Sequence, residues 1–201
     1  MTRRVVGVLA QPGGYPPGAV RTAMAEDVYE TVAGLELVEP ALLFAEGDPD
    51  TDALEALTWP GTPVLRLPGD DRPDLLPAAL RALEGLGADQ VTAVAADAPD
   101  LPGLLVGTLH RGLGSADVAV LPCAGGGLVA LATRVPVPDW VAGTRVGLDL
   151  SDAVARLRTA APRRTAVSIG PGWHRVRSVA DLSALDPGLE GWEVTRAALA
   201  R

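Results

Sequence analysis

Asp97 and Asp100 follow the apolar run QVTAVAA of residues 90–96 and precede Leu-Pro-Gly, an opening suited to a helix begun on a proline. Open α/β sheets present ligand-contacting groups at strand ends of this kind. Placed there, Asp97 could hold a divalent cation or a sugar hydroxyl, with Asp100 beside it as a second catalytic carboxylate that orients the ligand. Both residues are equally suited to capping the helix that starts near Pro102.

Three further clusters could serve the same cleft. The loop QPGGYPPG of residues 11–18 joins the first strand to the first helix, so its backbone amides, at Gly13 and Gly14 above all, could receive a phosphate. It lacks both the GKS or GKT ending of a Walker loop and the GxGxxG spacing of a dinucleotide crossover. Arg21, one turn into the helix, could reach an anion, pair with Glu26 or Asp27, or face water. In CAGGGL, residues 123–128, Gly126 sits among three glycines that allow either close approach to a ligand or a hairpin turn. Trp173 could stack on a base or sugar or act as an apolar lid, and Arg175 and Arg177 could clamp phosphate oxygens or lie solvated. If that segment is a strand, the two arginines share a face and Val176 takes the other.

The remaining chemistry-bearing residues point elsewhere. Cys123 is the only cysteine, so no internal disulfide forms and no thiolate metal cluster can be built. His110 and His174 are the only imidazoles, and neither stands in a nucleophile or zinc signature with Cys123, which reads as an inert buried thiol.

The elements that must position these residues alternate strand and helix. Strands are predicted at residues 4–10, 40–46, 63–67, 90–96, 117–121, 127–133 and 165–169. Helices are predicted at 19–34, 51–57, 72–86, 102–111 and 151–160, the last capped by Ser151, with a capped helical turn at 178–185. The alternation before residue 112 suits parallel crossovers with helices on both faces, and the close pair of strands around CAGGG makes the sheet mixed. We therefore expect an α/β fold in one domain covering residues 1–201, its mostly parallel mixed sheet flanked by helices.

Aromatic residues are only 3% of the chain, so its core must come from small aliphatic side chains in close helix–sheet contact. The formal charge of -8 disfavours electrostatic capture of nucleic acid or an anionic membrane. No apolar segment approaches transmembrane length and the first residues lack a secretory pattern, so a reducing, cytoplasmic setting is expected.

Three blocks in order, AADAPDLPGLL, DVAVLPCAGGGLVALAT and PGWHRVRSVADLSAL, together resemble the bacterial glycosyltransferase-A-like (GT-A-like) family called domain of unknown function 2064, also described as selenium- or radical-SAM-associated transferases. More distantly they are similar to 2-phospho-L-lactate guanylyltransferase and molybdenum-cofactor nucleotidyltransferases. The resemblance covers residues 90–185 and implies a nucleotide-diphospho-sugar transferase fold acting on a nucleotide, nucleotide sugar or phosphorylated metabolite, with magnesium or manganese on Asp97. A homodimer is a further expectation.

The chain also departs from the family pattern. Asp97 and Asp100 match the acids of the first block, but Ala124 and Gly125 stand at two acidic positions of the second. Arg175 and Arg177 replace the first two aspartates of the third, where Asp181 is kept, and the basic N-terminal loop is reduced to Arg21. Metal-assisted transfer needs several hard oxygen ligands. The alternatives are thus metal-free phosphate binding through Arg175 and Arg177, or a noncatalytic binding or assembly protein on the same fold.

Overall fold

The computed structural model describes residues 2–12, 18–68 and 75–201. The first half repeats one unit: β1 (Arg4–Ala10), α1 (Ala19–Ala33), β2 (Glu39–Ala45), α2 (Thr51–Ala56), β3 (Val64–Leu67), α3 (Leu76–Glu84) and β4 (Gln90–Ala95). All four strands are parallel, because each return passes through a helix. α4 (Gly103–Gly112) leads to β5 (Val118–Pro122), and the glycine turn folds β6 (Leu128–Arg134) back against it. β6 inserts between β4 and β5, antiparallel to both. After α5 (Asp139–Ala142) and α6 (Ala153–Ala160), β7 (Val167–Ile169) joins β5 in parallel, and α7 (Glu193–Leu199) ends the chain. The sheet order is β3-β2-β1-β4-β6-β5-β7, so one reversed strand makes an otherwise parallel sheet mixed.

The sheet separates two aliphatic cores. Leu76, Leu80 and Leu83 of α3 cover one face with Val141 and Leu157, while Val28 and Val32 of α1 and Val106 and Leu109 of α4 cover the other. Every residue of β4 is buried, as a central strand covered on both sides requires. Gly7 in β1 shows how a core poor in aromatics closes up: a Cβ there would collide with Leu43 and Leu83, so its absence lets α3 settle on the sheet. Among the described residues, no helix is long and apolar enough to cross a membrane.

Several boundaries differ from expectation. Residues 72–74 of the anticipated third helix lie outside the described residues, and its described part is Leu76–Glu84. Ser151 does not cap α6, which begins at Ala153 after a turn through Ser151 and Asp152. The segment near residues 178–185 is a 3-10 helix, Val179–Ala184. The tail contains α7, which the sequence pattern did not reveal because Thr195 is its only buried residue. That helix is held from 168 positions away: the Asp27 carboxylate accepts the amides of Val194 at 3.2 Å and Thr195 at 2.7 Å. Burial raises the pKa of Asp27, and these hydrogen bonds oppose the rise.

Candidate functional site

The carboxyl ends of β1 and β4 open side by side, and a small recess between them is lined by Gln11, Arg21, Met24, Asp97 and Arg175. Asp97 follows the last strand residues of β4 and faces an arginine delivered from much later in the chain. Both of its oxygens are taken in a fork: Arg175 Nε donates to Oδ1 at 2.6 Å and Nη2 to Oδ2 at 2.8 Å. The backbone holds the same register, with the Val176 amide donating to the Asp97 carbonyl at 2.7 Å.

Arg175 is 3% exposed, and all five of its N–H groups have partners. Besides Asp97, it donates to the carbonyls of Leu128 at 3.2 Å and Leu148 at 3.0 Å and to Gln11 Oε1 at 3.2 Å. Asp149 Oδ1 lies 2.8 Å from Nη1. Burial acts against the charge of this guanidinium, but attraction and hydrogen bonding to Asp97, then attraction to Asp149, outweigh it and raise its pKa. Asp149 carried no motif that marked it in advance. Its only sequence signal is an acid in the turn GLDLSD just before α6.

The glycine turn is what lets this happen. Gly125, Gly126 and Gly127 have φ of 81°, 99° and 87°, a left-handed run closed to most side chains. A Cβ on Gly127 would collide with the carbonyl of Leu148, and one on Gly126 would come 3.0 Å from Ser151. The close approach permitted by Gly126 is therefore made by the chain's own segment 148–151, which brings the Leu148 carbonyl and Asp149 onto Arg175.

Arg21 is committed in the same manner. Its Nη1 donates to Asp48 at 2.9 Å and Asp50 at 2.6 Å, and Nη2 to Asp48 at 2.7 Å and the Gln11 carbonyl at 3.0 Å. The acids that hold it are thus Asp48 and Asp50 after β2, in place of the anticipated Glu26 or Asp27. Gln11 joins the two guanidinium groups, with its carbonyl on Arg21 and its side chain on Arg175. Gly13 and Gly14 lie outside the described residues.

Asp100 is a buried anchor. It pairs with His174 Nε2 at 2.9 Å and accepts Trp173 Nε1 at 3.2 Å and the Asp186 amide at 3.1 Å. The Trp173 and His174 rings stack with centroids 4.8 Å apart, so this aromatic pair is fixed by Asp100. Neither Asp97 nor Asp100 caps α4, whose N-cap is Pro102.

Residues 174–177 form no strand, yet the alternation expected of one holds. Arg175 and Arg177 turn toward the glycine hairpin, and Val176 packs with Met24 and Trp192 on the other side. Arg177 is the least committed cation here, donating to the carbonyls of Gly126 at 3.1 Å and Ala124 at 3.4 Å while staying partly exposed. Its amide and Ser178 are fixed by Asp181. Cys123 is buried, and burial raises its thiol pKa, as suits an unreactive thiol.

These residues do not fit a resident magnesium or manganese ion. The oxygens of Asp97 and Asp100 are already engaged with basic or amide groups, and among the described residues no three His, Cys, Asp or Glu side chains converge to hold a metal.

The architecture matches solved structures over its whole length. A protein from Desulfovibrio desulfuricans described as a nucleotide-diphospho-sugar transferase superposes with a TM-score of 0.75 at 21% identity, over 100% of this chain and 96% of that one. The fold is GT-A-like. CMP:2-keto-3-deoxy-manno-octonic acid synthetase complexed with CTP matches with a TM-score of 0.67 at 14% identity, over 99% of both chains. Glucosyl-3-phosphoglycerate synthase from Mycobacterium tuberculosis, in complex with Mg2+ and uridine diphosphate, matches with a TM-score of 0.61 at 16% identity, over 99% of this chain and 77% of its own. No protein-family model matches the sequence, and no curated protein matches it.

Proposed function

We propose that this chain is a noncatalytic GT-A-like protein that takes a nucleotide, nucleotide sugar or phosphorylated metabolite at the carboxyl end of its sheet without a divalent cation. The observation that carries this reading is the forked pair of Asp97 and Arg175, at 2.6 and 2.8 Å. A carboxylate locked on a buried guanidinium is withdrawn from metal chemistry and proton transfer, while the fold that surrounds a donor remains. Arg177, partly exposed above the glycine turn, is the cation best placed to meet a phosphate. The resemblance of residues 90–185 to the domain of unknown function 2064 family supports the same ligand class.

A second reading keeps the transfer reaction. It is favoured by the correspondence in fold with the CTP-bound synthetase over 99% of both chains.

Thermal shift and calorimetry with nucleoside triphosphates and nucleotide sugars, in EDTA and then with Mg2+ or Mn2+, separate these readings. The noncatalytic reading expects at least one ligand to raise Tm by about 2 °C or more in EDTA, with no further gain from metal and no product by chromatography. Metal-dependent turnover abolished by Asp97→Asn would replace it with the second reading. No stabilisation by any ligand in either condition would remove both.

A further inference from the structure

Arg175 is ringed by oxygens, three of them from two carboxylates. Asp97 gives both carboxylate oxygens, at 2.6 and 2.8 Å, and Asp149 gives a third at 2.8 Å. The carbonyls of Leu128 and Leu148 and the amide oxygen of Gln11 complete the shell at 3.2, 3.0 and 3.2 Å. Six hard oxygens, three of them from two carboxylates, surround one buried positive charge; they are of the types that calcium takes, here spread over the three nitrogens of a guanidinium. Five stretches of chain build it: the end of β1, the end of β4, the start of β6, the segment before α6, and the segment that carries Arg175 itself.

We propose that Arg175 is a tethered replacement for a divalent cation, and that the oxygens of Asp97, Asp149, Leu128, Leu148 and Gln11 form a latent divalent-cation site that opens when this side chain is removed. The charge balance argues for it, since one guanidinium faces two carboxylates and a doubly charged ion would balance them. The geometry also sets a preference. A shell that fits the spread-out nitrogens of a guanidinium must contract around a single ion, and the half-exposed Asp149 has freedom to move inward. Calcium and manganese tolerate irregular shells of mixed carboxylate and carbonyl oxygens better than magnesium does, which demands a regular octahedron. The glycine turn supports the cage in either state, because Gly127 admits the Leu148 carbonyl. This inference goes beyond the proposed function and needs no nucleotide, so either can fail without the other.

The test uses the full chain and three proteins: the parent, Arg175→Ala, and the double variant Asp97→Asn with Arg175→Ala. Manganese binding is read by electron paramagnetic resonance, calcium and magnesium binding by calorimetry, and folding by circular dichroism and thermal shift. Arg175→Ala should gain one equivalent of Mn2+ or Ca2+ at least about tenfold tighter than the parent, and weaker Mg2+ binding. Its Tm should rise with either ion while the parent's stays fixed, and the double variant should bind no better than the parent. A folded Arg175→Ala that binds these ions no better than the parent overturns the proposal. Should Arg175→Ala be unfolded alone, Mn2+ or Ca2+ should restore it. Failure of both ions to do so, while the double variant folds, overturns the proposal equally.

Discussion

At the carboxyl end of the sheet, the buried Arg175 and Arg21 form forked pairs with the partly buried Asp97 and the buried Asp48, whereas at the amino end the partly buried His110 has only the Thr92 hydroxyl at 3.1 Å. The outcomes for charge are opposite. Arg175 and Arg21 keep theirs, because carboxylates outweigh the burial that acts against them. His110 loses its own: burial, and then the nearby Arg4, push its pKa down to about 4. Of these three groups, the two arginines beside carboxylates have their charged form favoured and the imidazole without such a partner has it disfavoured.

If this contrast is sound, the largest loss of stability should follow removal of Arg175. Arg175→Met should destabilise by about 5 kcal/mol in urea unfolding, because Asp97 is left without its partner and three carbonyl-type oxygens lose a donor. Arg21→Met should cost less, about 3 kcal/mol, since Asp50 is already 23% exposed at its side chain and can rehydrate. Equal losses would show that both arginines are pinned alike and that the six-oxygen shell has no special weight.

Asp100 sharpens the comparison within the carboxyl end, because it binds neutral donors and an imidazole in place of an arginine. Asp100→Asn should cost about 2 kcal/mol, as one of its three partners meets an amide hydrogen where it met an oxygen. The loosened Trp173–His174 pair should appear as a change in tryptophan fluorescence. An unchanged spectrum with an unchanged urea midpoint would deny Asp100 its anchoring role.

The smallest effect belongs to the amino end and depends on pH. The folded-state pKa of His110 is about 4 against an ordinary value of 6.5, so between these limits the unfolded chain binds more protons than the folded one. Stability from this residue is complete above about pH 6.5 and is lost as pH falls through about 4, amounting to roughly 1 kcal/mol near pH 5.5. His110→Gln should flatten that part of the pH–stability curve relative to the parent. Identical slopes in parent and variant would mean that the imidazole is protonated in place and that burial at this end does not expel charge.

Much of the fold was legible because its signals are local. Residues 4–10 and 90–96 are apolar runs of strand length, and β1 and β4 form there, at Arg4–Ala10 and Gln90–Ala95. Glycine and proline mark most of the turns between elements, including the hairpin at residues 123–127. Signals failed where an element is held by distant partners. α7 has a single buried residue and relies on Asp27.

The candidate site divides along the same line. Residue types nominated Asp97, Arg21, Gly126, Trp173, Arg175 and Arg177 for one cleft, and of these Arg21, Asp97 and Arg175 line the same recess. Composition and periodicity likewise determined the alternation of strand and helix, the close-packed aliphatic core and the mixed sheet. What only the tertiary structure decided is who neutralises whom. Asp97 and Arg175 are 78 positions apart, Asp149 bore no motif, and the carbonyls of Leu128 and Leu148 belong to the backbone, which every residue shares. Hydrogen bonds and ion pairs act over a few ångströms in space and leave no period along the chain, so the oxygens that hold Arg175 become a set only when the sheet and the glycine turn bring them together.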